Sequence, residues 1–346
     1  MNAGVAIYGG TAVTNGEERR TQHVSTTSST SRALFLEGFG ILPKLGERTV
    51  PEPRPGHTLV RVAAATVAHL DLNILDGQFG ILPELPFVPG TQGSGYVVAS
   101  DTHREGALVR LRGEGIGLSR DGAWAEHVLV PDAAAEIMPE GTDPALACIY
   151  FSPLGTAWAT VHAIAQVRPG ERVLVTGASG AVGAVAVQLA ARAGAEVIGA
   201  VGRPAKLPHV PGIAKALLAS DLSEEAIGGK VDVLIDTVGG QILRNALTLV
   251  RPRGRAALLG YTAGRQLTLD LADFFLGDVS LHPVNMMSRG PEVASEVLRL
   301  LPDLSSGALT LPYERCGMDA LGEAVERLRS GTAVGKIVLD MEHTGN

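Results

Sequence analysis

The stretch Arg172-Val173-Leu174-Val175-Thr176-Gly177-Ala178-Ser179-Gly180-Ala181-Val182-Gly183, continued by residues 184–190, decides the fold. An apolar strand, a glycine turn and a helix follow one another without a gap, which is the context a nucleotide loop requires. Gly180 lets the backbone approach a pyrophosphate, and Gly183 lets the helix pack close on the strand. The helix start then presents free N–H groups to phosphate. The competing reading is a turn that only packs helix on strand.

Outward from this loop, helix and buried strand alternate from about Pro153 to about Val284. The pattern predicts helices over 156–166 and 181–193, and strands over 172–176, 196–201, 231–235, 255–259 and 279–284. Strands apolar on both faces and separated by helices mean a parallel, doubly wound sheet of the α/β class. The residues before it read differently, as short β runs over 57–67, 93–100, 107–112 and 123–130. Turn chemistry such as Pro51 to Gly56 and Asp121-Gly122 separates them, giving an irregular all-β unit. After Arg289 the pattern predicts helices over 292–301 and 319–329 and a strand over 336–341. Residues 21–32 carry one large apolar side chain, too little to repay their ordering, so 1–31 read as a flexible extension.

Composition narrows the function. The 346 residues hold 29 Lys and Arg against 36 Asp and Glu, a formal charge of −7, with no basic run. That argues against a nucleic-acid binder, which needs clustered cations. Cys148 and Cys316 are the only cysteines, so no disulfide framework or four-cysteine zinc knuckle is available, and a reduced cytoplasmic setting is expected. No apolar run is long enough to span a membrane. The partner expected is a small-molecule substrate, with a homodimer left open as the assembly.

Cofactor choice is read where the second nucleotide strand ends, at Val201-Gly202-Arg203-Pro204-Ala205-Lys206. An NAD site usually places an acid there for the ribose 2′-hydroxyl. None is present; Arg203 and Lys206 can instead pair with a 2′-phosphate, which points to NADPH. The alternative is two solvated surface charges.

Further segments share one pattern: Pro89-Gly90-Thr91-Gln92-Gly93-Ser94-Gly95, Gly122-Ala123-Trp124-Ala125-Glu126, Thr156-Ala157-Trp158, Asp232 to Gly240, and Gly335-Lys336-Ile337-Val338. With the glycine loop, they make the chain from about Arg32 to Met341 resemble the zinc-independent quinone oxidoreductases of the medium-chain dehydrogenase/reductase superfamily. The resemblance implies a GroES-like β domain at 32–153 and 285–346, split by an inserted Rossmann domain at 154–284, with the active site between them. It implies cofactor contacts at Thr156, Ser179, Gly180, Ala181, Val182, Gly183, Gly202, Arg203, Lys206, Val238, Gly260 and Tyr261. In zinc-dependent relatives of the superfamily the metal ligands fall by motif on Ala68, Thr91 and near Ser152, none a usual zinc ligand, so no metal is expected.

Hydride addition to a quinone or an α,β-unsaturated carbonyl suits such a site, because charge spreads over a conjugated system and needs less stabilisation. The sequence departs from the family pattern, however. Where that pattern carries Asn-Phe-Ile-Asp and a downstream Tyr, this chain has Ala68-His69-Leu70-Asp71 and Phe79. His69, oriented by Asp71 or Asp76, is then the candidate proton donor. The competing role is a hydrogen bond to the cofactor ribose or to backbone. Tyr261 and Tyr150 are substitute donors, Cys148 reads as core, and Trp124 and Trp158 as packing. An NADPH-binding protein without redox turnover is the second functional class. Specificity is expected from loops near 79–87, 150–154 and 285–290.

Overall fold

A computed structural model of the chain describes residues 29–212 and 215–341. The first strands, β1 (Thr30–Phe35) and β2 (Lys44–Thr49), form an antiparallel pair with Thr30 opposite Thr49. Thr30 and Ser31, assigned from sequence to the extension, are therefore part of the fold. Residues 1–28 of that extension lie outside the described residues. Next come β3 (His57–Val67), α1 (His69–Leu75), β4 (Gln92–Ala99), β5 (Leu108–Arg112), β6 (His127–Pro131) and β7 (Ala135–Ile137). The strand expected over 123–130 is only partly a ladder. Its first residues run beside β1 instead, where the Leu34 N–H donates to the Trp124 carbonyl at 2.9 Å.

Two helices lead out of this unit. α2 (Pro144–Ile149) begins where the Asp143 carboxylate accepts the Ala145 N–H at 2.8 Å, with Pro144 in the first turn. α3 (Phe151–Trp158) runs on into a π turn at Ala159–Ile164. The helix expected to start at residue 156 thus starts at Phe151, because Pro153 falls in a first turn where its missing N–H costs nothing.

The nucleotide unit follows with β8 (Arg172–Thr176), α4 (Ala181–Arg192), β9 (Glu196–Val201), β10 (Lys215–Leu218), α5 (Glu224–Ile227), β11 (Val231–Asp236), α6 (Gly240–Leu247), β12 (Val250–Leu258), α7 (Leu271–Gly277) and β13 (Ser280–Pro283). Its sheet has the order β10-β9-β8-β11-β12-β13, and every pairing is parallel. The strand order reverses between β8 and β11, and a crevice opens at the carboxyl ends of strands at such a switch point. Both faces are buried. Val173 and Val175 join the core shared with α2 and α3, while Leu174 joins a second core with α6.

The chain then returns. α8 (Met286–Ser305) buries Val297 and Leu301 in the same core as Leu154 and Ala157 of α3. β14 (Tyr313–Cys316), α9 (Leu321–Arg329) and β15 (Lys336–Asp340) complete a seven-stranded sheet of order β14-β15-β3-β4-β5-β7, with β6 paired to β3. The segments 151–154 and 286–290, expected as specificity loops, are helical. Among the described residues, no helix is long and apolar enough to cross a membrane.

Candidate active site

The glycine loop sits at the carboxyl end of β8. Gly180 is the N-terminal residue outside α4, and no side chain caps that end. The first N–H groups of an α-helix have no partner inside it, so those of Ala181, Val182 and Gly183 are open to an acceptor. A Cβ on Gly183 would overlap the Gly177 carbonyl, so close helix–strand packing holds this position to glycine. The loop leaving β11 closes against the same place. The Thr237 hydroxyl donates to the Thr176 carbonyl at 2.8 Å, and the Val238 carbonyl accepts the Ala263 N–H at 2.7 Å. Gly260 lies so near the Thr237 carbonyl that a Cβ would overlap it.

Beneath these loops the buried Asp236 carboxylate accepts the Thr176 hydroxyl at 2.6 Å and the Gly239 N–H at 2.8 Å. Burial pushes its carboxyl up, against the pull of these donors. Ser179 to Gly183, Val238, Gly260 and Tyr261 thus share one edge of the sheet. Tyr261 is exposed there, with the Arg265 guanidinium 5.2 Å from its ring centre. Thr156 is half-buried in α3, and its carbonyl accepts the Thr160 hydroxyl at 2.7 Å.

The cations after β9 are engaged with backbone. Arg203 donates to the Ser330 carbonyl and Lys206 to the Gly331 carbonyl, each at 2.8 Å, across to the end of α9. Gly202 is exposed, with open space where a Cβ would stand. An uncapped helix end, an open glycine and two cations beyond the neighbouring strand fit a dinucleotide.

In the β unit a buried carboxylate organises the backbone. Asp71 Oδ1 accepts both the N–H and the hydroxyl of Thr91 at 2.9 Å, and Oδ2 accepts the Ala68 N–H at 2.8 Å. Burial pushes its carboxyl up, opposed by those three donors and by Lys336. Sequence reasoning left Lys336 without a role, although a lone lysine in the apolar run Ile337-Val338-Leu339 was a usable signal. Ile337 pairs with Val67, so Lys336 stands beside Ala68, and burial holds its ammonium pKa down despite Asp71 and Cys148.

His69 is the first residue of α1. Its pKa is lowered by burial first and by Lys336 second, which leaves the imidazole neutral at neutral pH. The orientation expected for it is not found. Asp71 spends both oxygens on Ala68 and Thr91, and Asp76 pairs with Arg329 instead. Tyr150 is also removed as a donor to substrate, because its buried hydroxyl is turned onto Met138 Sδ at 3.8 Å. Cys148 is buried, with Sγ on the Ala145 carbonyl at 3.2 Å, and burial raises its thiol pKa. Phe79 packs against the core around α1.

Zinc does not fit the positions that the resemblance assigns to its ligands. Ala68 has no donor atom, the Thr91 hydroxyl is committed to Asp71, and Ser152 is an exposed alcohol. Among the described residues, no group of three His, Cys, Asp or Glu is placed to hold a metal.

Two family descriptions match the chain: the alcohol dehydrogenase GroES-like domain over residues 54–140, and the zinc-binding dehydrogenase over residues 181–303. Their combination defines the medium-chain dehydrogenase/reductase superfamily, and the chain belongs to it as an oxidoreductase of a family that binds a nicotinamide cofactor. The chain is 28% identical to a quinone oxidoreductase-like protein 2 homolog of Nematostella vectensis, covering 95% of this chain and 94% of that one. It is 26% identical to an alcohol dehydrogenase of Rhizobium meliloti, over 90% of this chain and 99% of the other. A solved NAD-dependent alcohol dehydrogenase superposes with a TM-score of 0.75 at 26% identity, covering 90% of this chain and 99% of its own.

Asp71 gives the site its first test. Asp71→Ala leaves two N–H groups and a hydroxyl without their acceptor, at about 1–3 kcal/mol for each group that water cannot reach. The melting temperature is expected to fall by many degrees, whereas Thr91→Val, which loses one hydroxyl bond, should fall less. Calorimetric scans of the two variants check the order.

Proposed function

We propose that the chain is an NADPH-dependent, metal-independent reductase that delivers hydride to a quinone or an α,β-unsaturated carbonyl. One observation carries this reading: the place that the resemblance assigns to a metal is built from Ala68, Thr91 and Ser152, with Thr91 turned inward on Asp71. A site without a Lewis acid is best matched to an acceptor that delocalises its own developing charge. The similarity to a quinone oxidoreductase-like protein supports the same choice. NADPH is favoured because Arg203 and Lys206 now bond neutral carbonyls, and exchanging those for a phosphate gains a charge-assisted bond.

The cofactor, when bound, supplies the hydride. The chain's residues do the rest. The α4 N-terminus and Gly180 hold the pyrophosphate. His69 gives a proton to the α-carbon of the enolate, and its lowered pKa makes the imidazolium a readier acid, though a scarcer one at neutral pH. Tyr261, at the cofactor edge, is the second proton donor. The second reading, cofactor binding without turnover, is favoured by the departures at Ala68 and Phe79, by the Tyr150 hydroxyl facing Met138, and by Asp71 being committed to Ala68 and Thr91 rather than to His69.

The outcomes expected are these. NADPH is consumed with quinones or enones, chelators leave the rate unchanged, and elemental analysis finds less than one zinc per chain. Consumption with none of them moves the assignment to the second reading. Lys206→Ala raises the NADPH dissociation constant roughly ten- to a hundredfold and leaves that of NADH nearly constant; equal losses for both cofactors would remove the 2′-phosphate contact. His69→Phe lowers kcat by about 10²–10⁴ at unchanged NADPH affinity. In the unsubstituted enzyme kcat falls as pH rises through a midpoint below 6.5, because the acid form is lost there, and the variant lacks that limb. A homodimer is proposed through the edge strand β13 and the exposed Phe275 and Leu276 of α7, and light scattering on Phe275→Glu with Leu276→Glu is expected to find monomers.

A further inference from the structure

β5 presents two faces. Val109 and Leu111 point into the core of the β unit, so Arg110 and Arg112 point the other way, toward α2 and α3. Both guanidinium groups lie over the Phe151 ring, Arg110 at 4.4 Å and Arg112 at 5.1 Å from its centre. Their electrostatic situations differ. Arg110 is buried and is neutralised by Glu136, which accepts its Nε–H at 2.9 Å and a second N–H beside it. Arg112 is exposed and forms no ion pair among the described residues; its pKa is lowered by partial burial first and by Arg110 second. One carboxylate thus serves two arginines.

The strand register sets Arg112 beside Gln92 at the end of β5. Gln92 is paired with Arg112 and Ser94 with Arg110, so Gln92, Ser94, Arg110 and Arg112 share one face. The Ser94 hydroxyl donates to the Pro144 carbonyl at 2.6 Å, which fixes that face as the one toward α2. Gln92 follows Thr91 directly, and Phe151 precedes Ser152, so Arg112 is set against residues next in sequence to two of the three positions that would ligate a metal in zinc-dependent relatives. Lys336 lies on the same face of the sheet, two strands beyond β4. On this face Arg110 is matched by Glu136 and Lys336 is faced by Asp71, which leaves Arg112 without an ion pair among the described residues. In a chain whose formal charge is −7, an exposed unpaired guanidinium attracts a ligand of the opposite sign.

We propose that Arg112 is a specificity residue that binds a carboxylate on the substrate, so that the preferred acceptors are quinones or enones bearing an acid group. The planar guanidinium, 5.1 Å from the Phe151 ring centre and without an ion pair among the described residues, matches a carboxylate through two parallel N–H donors, whereas a lysine at this place would offer a single point charge. This assignment rests on the reductase reading for its reaction, but not for its binding chemistry.

The test uses a matched pair, β-benzoylacrylic acid and its methyl ester, which share one enone and differ in charge. Steady-state NADPH oxidation and calorimetric binding to the NADP⁺-loaded protein are measured for both compounds with the full-length chain and with Arg112→Met and Arg112→Lys. The acid is expected to exceed the ester in kcat/KM and in affinity. In Arg112→Met the acid-to-ester ratio should fall roughly ten- to a hundredfold, with Arg112→Lys in between. Thermal scans confirm that the variants are folded. Turnover of both compounds without preference for the acid, or a ratio unmoved by Arg112→Met, overturns the carboxylate site and leaves the reductase reading intact. Tighter binding of the acid, lost in Arg112→Met but without turnover of either compound, sustains the site and removes the reaction. Preference for a phosphorylated enone over the carboxylate replaces the ligand class and overturns the proposal as stated.

Discussion

The β-unit side of the candidate site depends on a carboxyl group held inside the protein. The Asp71 carboxylate is fully enclosed, and its three donors come from two separated stretches of chain, Ala68 at the start of α1 and Thr91 at the start of β4. An enclosed carboxylate is tolerable only when donors replace its hydration, so chain entry into α1 and into β4 must be fixed together. That places His69, Gln92 and, through the β3–β15 pairing, Lys336 around one space. In the nucleotide unit Asp236 has the same job, tying Thr176 at the end of β8 to Gly239 at the start of α6. Each unit is therefore pinned by one buried aspartate with backbone donors.

The parts of the fold legible in sequence are those where burial is two-sided. β8 and β9 have the limits expected because each is an uninterrupted apolar run with a polar residue at its start. β12 starts at Val250 rather than at 255, since its first half carries Arg251, Pro252 and Arg253 on an exposed and irregular edge that no apolar pattern marks. α1, α2 and β14 escaped because four to seven residues are too few to establish a period.

The candidate site divides along the same line. The places of the glycine loop between β8 and α4, and of the two cations just after β9, were readable because they depend on local order in the chain. The wall of the β unit was not. Arg110, Arg112 and Lys336 acquire meaning only when β5 is set beside β4 and β15 beside β3, and those pairings join residues far apart in sequence. The orientation proposed for His69 failed for a related reason. Nearness along the chain made Asp71 and Asp76 alternative partners, but one faces Thr91 and the other Arg329, contacts that nearness along the chain does not reveal.

The bonds from Arg203 and Lys206 to the last carbonyls of α9 join the two halves of the molecule, since α9 packs in the β unit and β9 in the nucleotide sheet. These side chains are at once a clasp and the nearest cations to the end of β9. Any anion that recruits them must first break these two bonds, so part of its affinity is spent on releasing the end of α9. Thermodynamic reciprocity makes the relation run both ways: whatever tightens those bonds weakens the anion, and the anion slackens them by the same factor.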